Sequence, residues 1–560
     1  MLSATRAIRT AAEALSEVLE AWGIDKVFIC PGSTEAAFLD AVSAKSTVDV
    51  LLATHESISV AMADGYSRAT GKPSVVFLHA NVGLNNGLSH LFAAKLARSP
   101  IVVLNGLKDS RLQARDGFTT ATHMREFVRQ YVKWDWQSLS ADAITEDVNR
   151  ALQLATTEPC GPTWVGLSQD LMEAPTAGLV PHADAFRSPS MTRPDRHSVQ
   201  RAAEILLGAE RPLLVAGSEV GRHGARVSLE RLAARLQAPV MLEDRRGLER
   251  ISFSTQHPHF AGQYSADRAS VQQADVIFFV GARCFLQFEP PTRPQVPDTA
   301  ALIHSHVDPV EIGRLYGTDV SLIGHQGAVL EDVLDALDGS APLKRTRTGT
   351  GLSAARLECR SRAETGPRQD GDIRAPEVVE VLSGFVDANT TIVSDATTAA
   401  SLVLQGLPIT DVDQFVTTAS GSLGWGMGAA LGIQLGRTGR KVIAIVGDGV
   451  FQFGVQALWT AAHYRLPVTY VVLNNQSFAA VGAAILRYRK SAGIQREGRL
   501  PGVDISGPNI AEIARGFGVR AMRVKELSAL RRELQMLGQH HGPALIEVMT
   551  EVDDLGPSPL

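Results

Sequence analysis

Two polar clusters, each closing an apolar run, limit the fold of this chain more than anything else in it. Lys441-Val-Ile-Ala-Ile-Val446 is continuous, strand-length and apolar, and it ends at Gly447-Asp448-Gly449. A second run, Pro467 to Leu473, ends at Asn474-Asn475-Gln476-Ser477, and Phe451 to Tyr464 between the two reads as a helix. Short apolar runs without alternation suit strands buried on both faces. Strand, helix and strand in succession imply a parallel pair, with both clusters at the carboxyl ends where open α/β sheets bind ligands. One carboxylate (Asp448), one amide oxygen (Asn475) and a nearby backbone carbonyl (Ser477) suit a small hard cation such as Mg2+. The glycines let the backbone approach a diphosphate, and the helix start favours the anion. Either cluster alone is an ordinary turn; their joint placement carries the reading.

The 560 residues exceed what one core holds. Strand-like runs alternate with helical stretches in three segments: residues 1–185, 195–340 and 372–560. The first has Lys26–Cys30, Ser74–His79, Pro100–Leu104 and Pro162–Leu167. The second has Pro212–Ala216, Pro239–Leu242, Val276–Val280 and Ala301–Val307. The third runs from a helix at Pro376 to the strand Pro543–Met549. The expected class is α/β, with three domains of parallel sheet flanked by helices. Phe186–Arg196 and residues 339–375 read as connectors, and the tail Val552–Leu560 as frayed. A net charge of −5 gives no basic footprint for nucleic acid. No apolar run approaches the ~20 residues of a membrane span. Met1–Arg6 leads into an amphipathic pattern, not a secretory signal. Cys30, Cys160, Cys284 and Cys359 are far apart and read as reduced, mostly buried thiols. The chain is therefore expected in the cytoplasm.

A second signature lies in the first segment: Thr54-His55-Glu56, then Asp64-Gly65-Tyr66-Ser67-Arg68 and Gly71. Together with Gly-Asp-Gly and Asn-Asn, it resembles the pyrimidine-binding and diphosphate-binding signatures of the thiamine diphosphate-dependent decarboxylases and acetolactate synthases. The resemblance covers essentially the whole chain and implies a pyrimidine domain, a central domain and a diphosphate domain. It implies thiamine diphosphate and Mg2+ as cofactors, with metal roles for Asp448, Asn475 and the carbonyl of Ser477. Glu56 would hydrogen-bond the cofactor's pyrimidine; buried among Ile58, Val60 and Met62, it should have a raised pKa. In Gly421-Ser422-Leu423-Gly424-Trp425-Gly426, Gly421 would offer a carbonyl to the cofactor and Leu423 would bend it, an orientation effect. A dinucleotide reading of these glycines is weak, since no strand immediately precedes them. The remaining contacts implied by the resemblance are Gly32, Thr397, Thr398, Gly447, Gly449, Val450 and Phe478. Val450 replaces a hydroxyl residue usual in the family.

Ser33 in Pro31-Gly32-Ser33-Thr34-Glu35, and His79 in Leu78-His79-Ala80-Asn81, narrow the resemblance to benzoylformate decarboxylase. There the matching residues face a 2-oxo acid, and an imidazole can bind its carboxylate and shuttle a proton. Ser33 could equally be the N-cap of a helix beginning at Thr34. A second histidine of that family is missing from Val280-Gly281-Ala282-Arg283-Cys284-Phe285-Leu286-Gln287-Phe288, where Phe288 takes its place. Phe478-Ala479-Ala480-Val481-Gly482-Ala483-Ala484 and Thr417 lack the aromatic wall of a phenyl pocket. Arg487, Tyr488, Arg489, Lys490, Arg496 and Arg499 read as a solvated basic face.

The resemblance thus implies non-oxidative decarboxylation of a small-molecule 2-oxo acid through a cofactor-bound enamine. The alternatives are an acetolactate synthase-like carboligase and a non-catalytic cofactor-binding protein. FAD in the central domain is left open. Since Glu56 and Asp448 lie in different domains, the resemblance implies a homodimer or homotetramer with sites at subunit interfaces. The apolar stretches Leu84–Leu96 and Trp425–Leu435 suit that interface.

Overall fold

The computed structural model describes residues 9–45, 47–187, 191–286, 290–291, 293–339, 373–496, 498–538 and 540–551. Three six-stranded parallel sheets carry the chain. The first sheet has the spatial order Asp49–Leu52, Lys26–Cys30, Ser74–His79, Ile101–Leu107, Thr163–Ser168 and Trp134–Gln137. The central sheet runs Phe260–Gln263, Val240–Leu242, Pro212–Ala216, Val276–Val280, Ala301–His306 and Val320–Ile323. The last runs Phe415–Thr417, Thr390–Asp395, Lys441–Gly447, Val468–Asn474, Ala544–Met549 and Arg520–Val524. In the last sheet Lys441–Gly447 and Val468–Asn474 are neighbours, with Val442 opposite Val468 and Gly447 opposite Leu473. Both strands are buried along most of their length, because helices cover both faces. The two polar clusters therefore emerge side by side at one edge of the sheet.

Several elements depart from the sequence reading. The helix expected over 451–464 is two helices, Asp448–Gly454 and Ala457–His463. The first ends where Gly454 passes within van der Waals contact of Gly424 and Met427; a side-chain carbon there would lie 2.7 Å from Met427. The strands that patterning missed are mostly sheet edges of three to five residues, Phe415–Thr417 among them. That strand ends four positions before Gly421, so the glycine segment does follow a strand at a short distance. The expectations for residues 1–8, most of 339–375, Cys359, Gln287–Phe288 and 552–560 lie outside the described residues. Cys284 is buried, but Cys30 and Cys160 are only half-buried; all three are free thiols.

The first and last domains meet chiefly at one helix crossing, Glu56–Thr70 on Trp425–Gly436. Small residues let the backbones touch. A Cβ on Gly65 would fall 2.2 Å from the Ala429 carbonyl oxygen, and one on Gly432 would fall 2.0 Å from that of Met62. The Asp64-Gly65-Tyr66-Ser67-Arg68 signature builds this contact. Asp64 is fully buried and accepts from Arg68 Nε at 2.8 Å and from Trp425 Nε1 at 2.7 Å. The Arg68 guanidinium lies 4.7 Å from the centre of the Trp425 ring and donates to the Thr417 carbonyl at 2.9 Å. A buried ion pair is tolerable only with its remaining donors and acceptors satisfied, as here. Trp425–Leu435, expected at a subunit interface, is instead buried against the chain's own first domain. Helix Ala80–Leu96 keeps an exposed stripe of Val82, Asn85, Asn86, Ser89 and Phe92.

Candidate active site

At the carboxyl ends of the last sheet a cavity of about 150 Å³ opens, enough for a ring-sized group. Thr397, Thr398, Leu423, Gly447, Asp448, Gly449, Val450, Asn475, Ser477 and Phe478 line it. All ten were singled out in the sequence. The cavity also takes in Ala480 and Val481, from the stretch read as replacing an aromatic wall, and small and aliphatic side chains that patterning missed, Ala396 and Leu402 among them. Their signal was position, immediately after strand ends or in the helices that follow. Gly421 is not among the lining residues, and Thr417 turns away, its hydroxyl donating to the Ser394 carbonyl at 2.8 Å.

The acidic end of the cavity has the character of a cation site. Asp448 Oδ1 accepts from the Gly449 amide at 2.8 Å, while Oδ2 is buried with no partner among the described residues. Burial pushes the Asp448 carboxyl up to about 6, against the backbone amides of Gly449, Gln476 and Ser477 that favour its charge. An unpaired buried carboxylate oxygen is costly unless a cation meets it. Asn475 Oδ1, 3.2 Å from the Ser477 amide, adds a neutral oxygen beside it. Among the described residues no three His, Cys, Asp or Glu side chains converge on a metal position. The oxygens available, one carboxylate and neutral oxygens beside it, could hold a hard cation. The neighbouring Asn474 serves the sheet instead, its amide donating to the buried Glu547 at 2.6 Å. Close packing fixes the loops. A Cβ on Gly449 would meet the Phe478 ring at 2.6 Å, and Gly424 sits at φ +88°, where other residues are strained. Asp395, pushed up to about 6 by burial, accepts from the Gly426 amide at 3.0 Å and so holds the segment that carries Leu423.

The remaining predicted residues gather elsewhere, at the carboxyl edge of the first sheet. His79 ends its strand and is followed by Ala80 at φ +46°. Its Nδ1 lies 2.8 Å from Thr34 Oγ1 and 3.2 Å from Glu35 Oε2. Gly32 packs under the ring; a Cβ there would fall 2.4 Å from it. Ser33 is not an N-cap but the first residue of a short 3-10 turn, Ser33–Glu35, and its hydroxyl accepts from Lys108 Nζ at 3.3 Å. Glu35 is fully buried and also accepts from the Gly32 amide at 2.6 Å. It orients the imidazole, a role that sequence reasoning did not give it; its only signal was an acidic residue two positions after Ser33. Glu56 opens its helix and is half-buried in the single chain, not enclosed as expected, because Ile58, Val60 and Met62 pack inward while it faces outward. Its Oε2 accepts from Asn86 Nδ2 at 3.0 Å. The Cys30 thiol, pushed up to about 12 by burial and by the nearby Glu56 and Glu35 carboxylates, stays protonated beside it. Among the described residues, none from the first domain lines the cavity of the last domain.

Three family models fit the chain in succession. Residues 9–126 fit the N-terminal TPP binding domain of thiamine pyrophosphate enzymes, 199–333 the central domain, and 395–548 the C-terminal TPP binding domain. This chain is a thiamine pyrophosphate enzyme. It is 29% identical to a benzoylformate decarboxylase of Pseudomonas aeruginosa over 97% of this chain and 99% of that one. It is 24% identical to an acetolactate synthase large subunit of Lactococcus lactis over 95% and 91% of the two chains. Among solved structures, a thiamine diphosphate-dependent 4-hydroxybenzoylformate decarboxylase of Rhodococcus jostii superposes with a TM-score of 0.86 at 26% identity, covering 98% and 100%. The chain is therefore an enzyme of the decarboxylase or carboligase type, and it binds thiamine diphosphate. Among the described residues no helix of this thiamine pyrophosphate enzyme is long and apolar enough to cross a membrane.

The central sheet is built like a nucleotide-binding domain but fills its own crevice. At the point where strand order reverses, Glu243 accepts from the Ser218 amide at 2.5 Å, the Ser218 hydroxyl at 2.6 Å and the Arg283 amide at 2.9 Å. Beside it Glu219 accepts from the Val307 amide and from Gln326 Nε2, both at 3.0 Å. Backbone donors that would meet a phosphate are thus taken by the protein's own carboxylates.

Proposed function

We propose that this enzyme decarboxylates a 2-oxo acid without oxidation, at two sites shared by two copies of the chain. One observation carries the reading: the cavity with Asp448, Asn475 and Leu423 is lined by no described residue of the first domain, so Glu56, His79 and Ser33 of the same chain do not face it. A second copy, packed on the exposed stripe of helix Ala80–Leu96, brings one cluster over the other's cavity, as closed two-fold symmetry allows. Asp448 Oδ2, Asn475 Oδ1 and the Ser477 carbonyl would hold Mg2+, and Gly447, Gly449, Val450, Thr397, Thr398 and Phe478, which line the cavity, would surround the cofactor. Thiamine diphosphate held there would supply the nucleophilic carbon that this chemistry needs. Glu56 exchanges a proton with the pyrimidine edge. His79, its Nδ1 engaged by Thr34 and Glu35, presents Nε2 to the substrate carboxylate and returns a proton to the product. Ser33 orients the carboxylate. The apolar lining by Leu402, Ala480 and Val481 suits a 2-oxo acid with a hydrophobic side chain. Glu243 and Glu219 argue against FAD in the central domain.

A carboligase is the second reading, favoured by the absence of a histidine in Val280–Leu286, which leaves His79 with fewer partners for returning a proton. The experiment is a panel of 2-oxo acids, with and without added aldehyde, with products identified by mass spectrometry. Aldehyde release from the acid alone supports decarboxylation, and 2-hydroxy ketones as the main products support ligation. Turnover that is unchanged after removal of Mg2+ by EDTA contradicts the metal assignment.

A further inference from the structure

Within one chain the two halves of the site are joined through a buried imidazole. His90 lies in helix Ala80–Leu96 and is 1% exposed. Its Nδ1 is 2.7 Å from the carbonyl oxygen of Ser57, the residue after Glu56. Its Nε2 is 3.2 Å from the carbonyl oxygen of Leu423, in the wall of the cofactor cavity. Next to it, the Ser422 hydroxyl donates to the Ser89 carbonyl at 2.7 Å.

Both atoms that face the ring are acceptors. A neutral imidazole has one N–H, so it satisfies one carbonyl and turns a lone pair toward the other. Burial lowers the pKa of the ring, against the backbone carbonyls and Asp64 that favour a second proton. The shorter contact puts the N–H on Nδ1, toward Ser57, by this donor logic. A shift of Leu423 toward or away from Nε2 therefore changes which carbonyl the ring serves, and with it the first turn of the Glu56 helix.

We propose that His90 is a positioning residue that links the Leu423 wall to the first turn of the Glu56 helix, so that a cofactor seated against one resets the other. The proposal rests on the shared-site reading above. On that reading Leu423 and Glu56 of one chain serve different active sites, so the link runs from one site of the dimer to the other. It has the form of a coupling free energy between two sites.

The test is calorimetric titration of the Mg2+-loaded protein with thiamine diphosphate, resolving the two stepwise binding constants per dimer. In the wild type these should differ by at least about fivefold beyond the statistical ratio, the low end of ordinary coupling. In His90→Leu the two sites should become equivalent. His90→Asn keeps a donor near Ser57 but cannot reach Leu423, so it should behave like His90→Leu; it serves as the readout if the leucine variant does not fold. A loss of stability alone lowers the melting temperature and leaves the ratio of constants unchanged. Equivalent sites in the wild type, or unequal sites that persist in the folded His90 variant, overturn the proposal. A wild type that sediments as a monomer, or binds no cofactor, overturns the shared-site reading itself.

Discussion

The cavity of the last domain and the cluster of the first domain are built in opposite ways. The cavity is preformed: its loops are held by Asp395, by close packing at Gly449 and by the left-handed Gly424, and its Asp448 carries an oxygen with no partner among the described residues. The first-domain cluster is an open edge, with Glu56 half-buried and Asn86 exposed beside it. One half looks like a receptacle and the other like a lid, and each chain carries one of each. On the proposed reading, enclosure of the Glu56 carboxyl would be left to assembly, while the end of the cavity around Asp448 is formed by one domain alone.

Disabling one half at a time puts this contrast under the most strain. Glu56→Gln should lower turnover by about 10²- to 10⁴-fold, the range of a lost acid–base group, with cofactor affinity nearly unchanged in a fluorescence titration. Asp448→Ala should instead lose Mg2+-dependent cofactor binding. Random mixing of the two inactive subunits should recover about a quarter of wild-type activity, since half of the dimers carry one intact site. No recovery in folded hybrids would place both halves in one chain.

A smaller effect is expected at the crossing that both halves share. Gly65→Ala pushes a methyl group onto the Ala429 carbonyl and should cost about 1–3 kcal/mol, read as a lower midpoint in urea unfolding. Equal stability to the wild type would show that the helices separate freely. The pH dependence of the cavity loops is comparable in size. Asp395 keeps its proton to about pH 6 in the fold, against 3.8 ordinarily, so between these values the native state binds the extra proton. Its contribution is present below about pH 4 and is lost as pH rises through about 6, on the order of 1–3 kcal/mol. Asp395→Asn should remove that decline. Glu219 and Glu243 are also pushed upward, to about 7, but they cancel in the difference because both proteins carry them. Superimposable pH profiles would reject the assignment. The least change is expected at the central domain. FAD at about 100-fold above a micromolar dissociation constant should leave the melting temperature where it was, whereas a true site would add about 2.7 kcal/mol.

The cofactor half was legible because its chemistry lies in two short segments at the ends of strongly apolar strands. Asp448 and Asn475 could be named from order and spacing, and Leu423 from the family resemblance that those clusters carry. The first-domain half was legible only in part. The run from Asp64 to Arg68 marks the domain, but the structure shows those residues docking one helix on another, and proximity along the chain had suggested a buried Glu56. Glu35 was missed because a carboxylate that orients a histidine across 44 positions leaves no local pattern. Edge strands such as Phe415–Thr417 were missed because three residues are too few for any periodicity to register.

The helix crossing also has a consequence for how the chain is made. The inward face of Glu56–Thr70, with Ile58, Ala61, Met62 and Gly65, finds its cover only when Trp425–Gly436 exists. That partner emerges about 350 residues later, which at about 5–20 residues per second is a wait of about 20–70 s on the ribosome. Through that interval a small-residue apolar groove stands open on a domain that is otherwise complete. Nascent chains of this protein should therefore be held by chaperones until the last sheet is synthesised, and slow codons in the central domain should lower the yield of soluble protein.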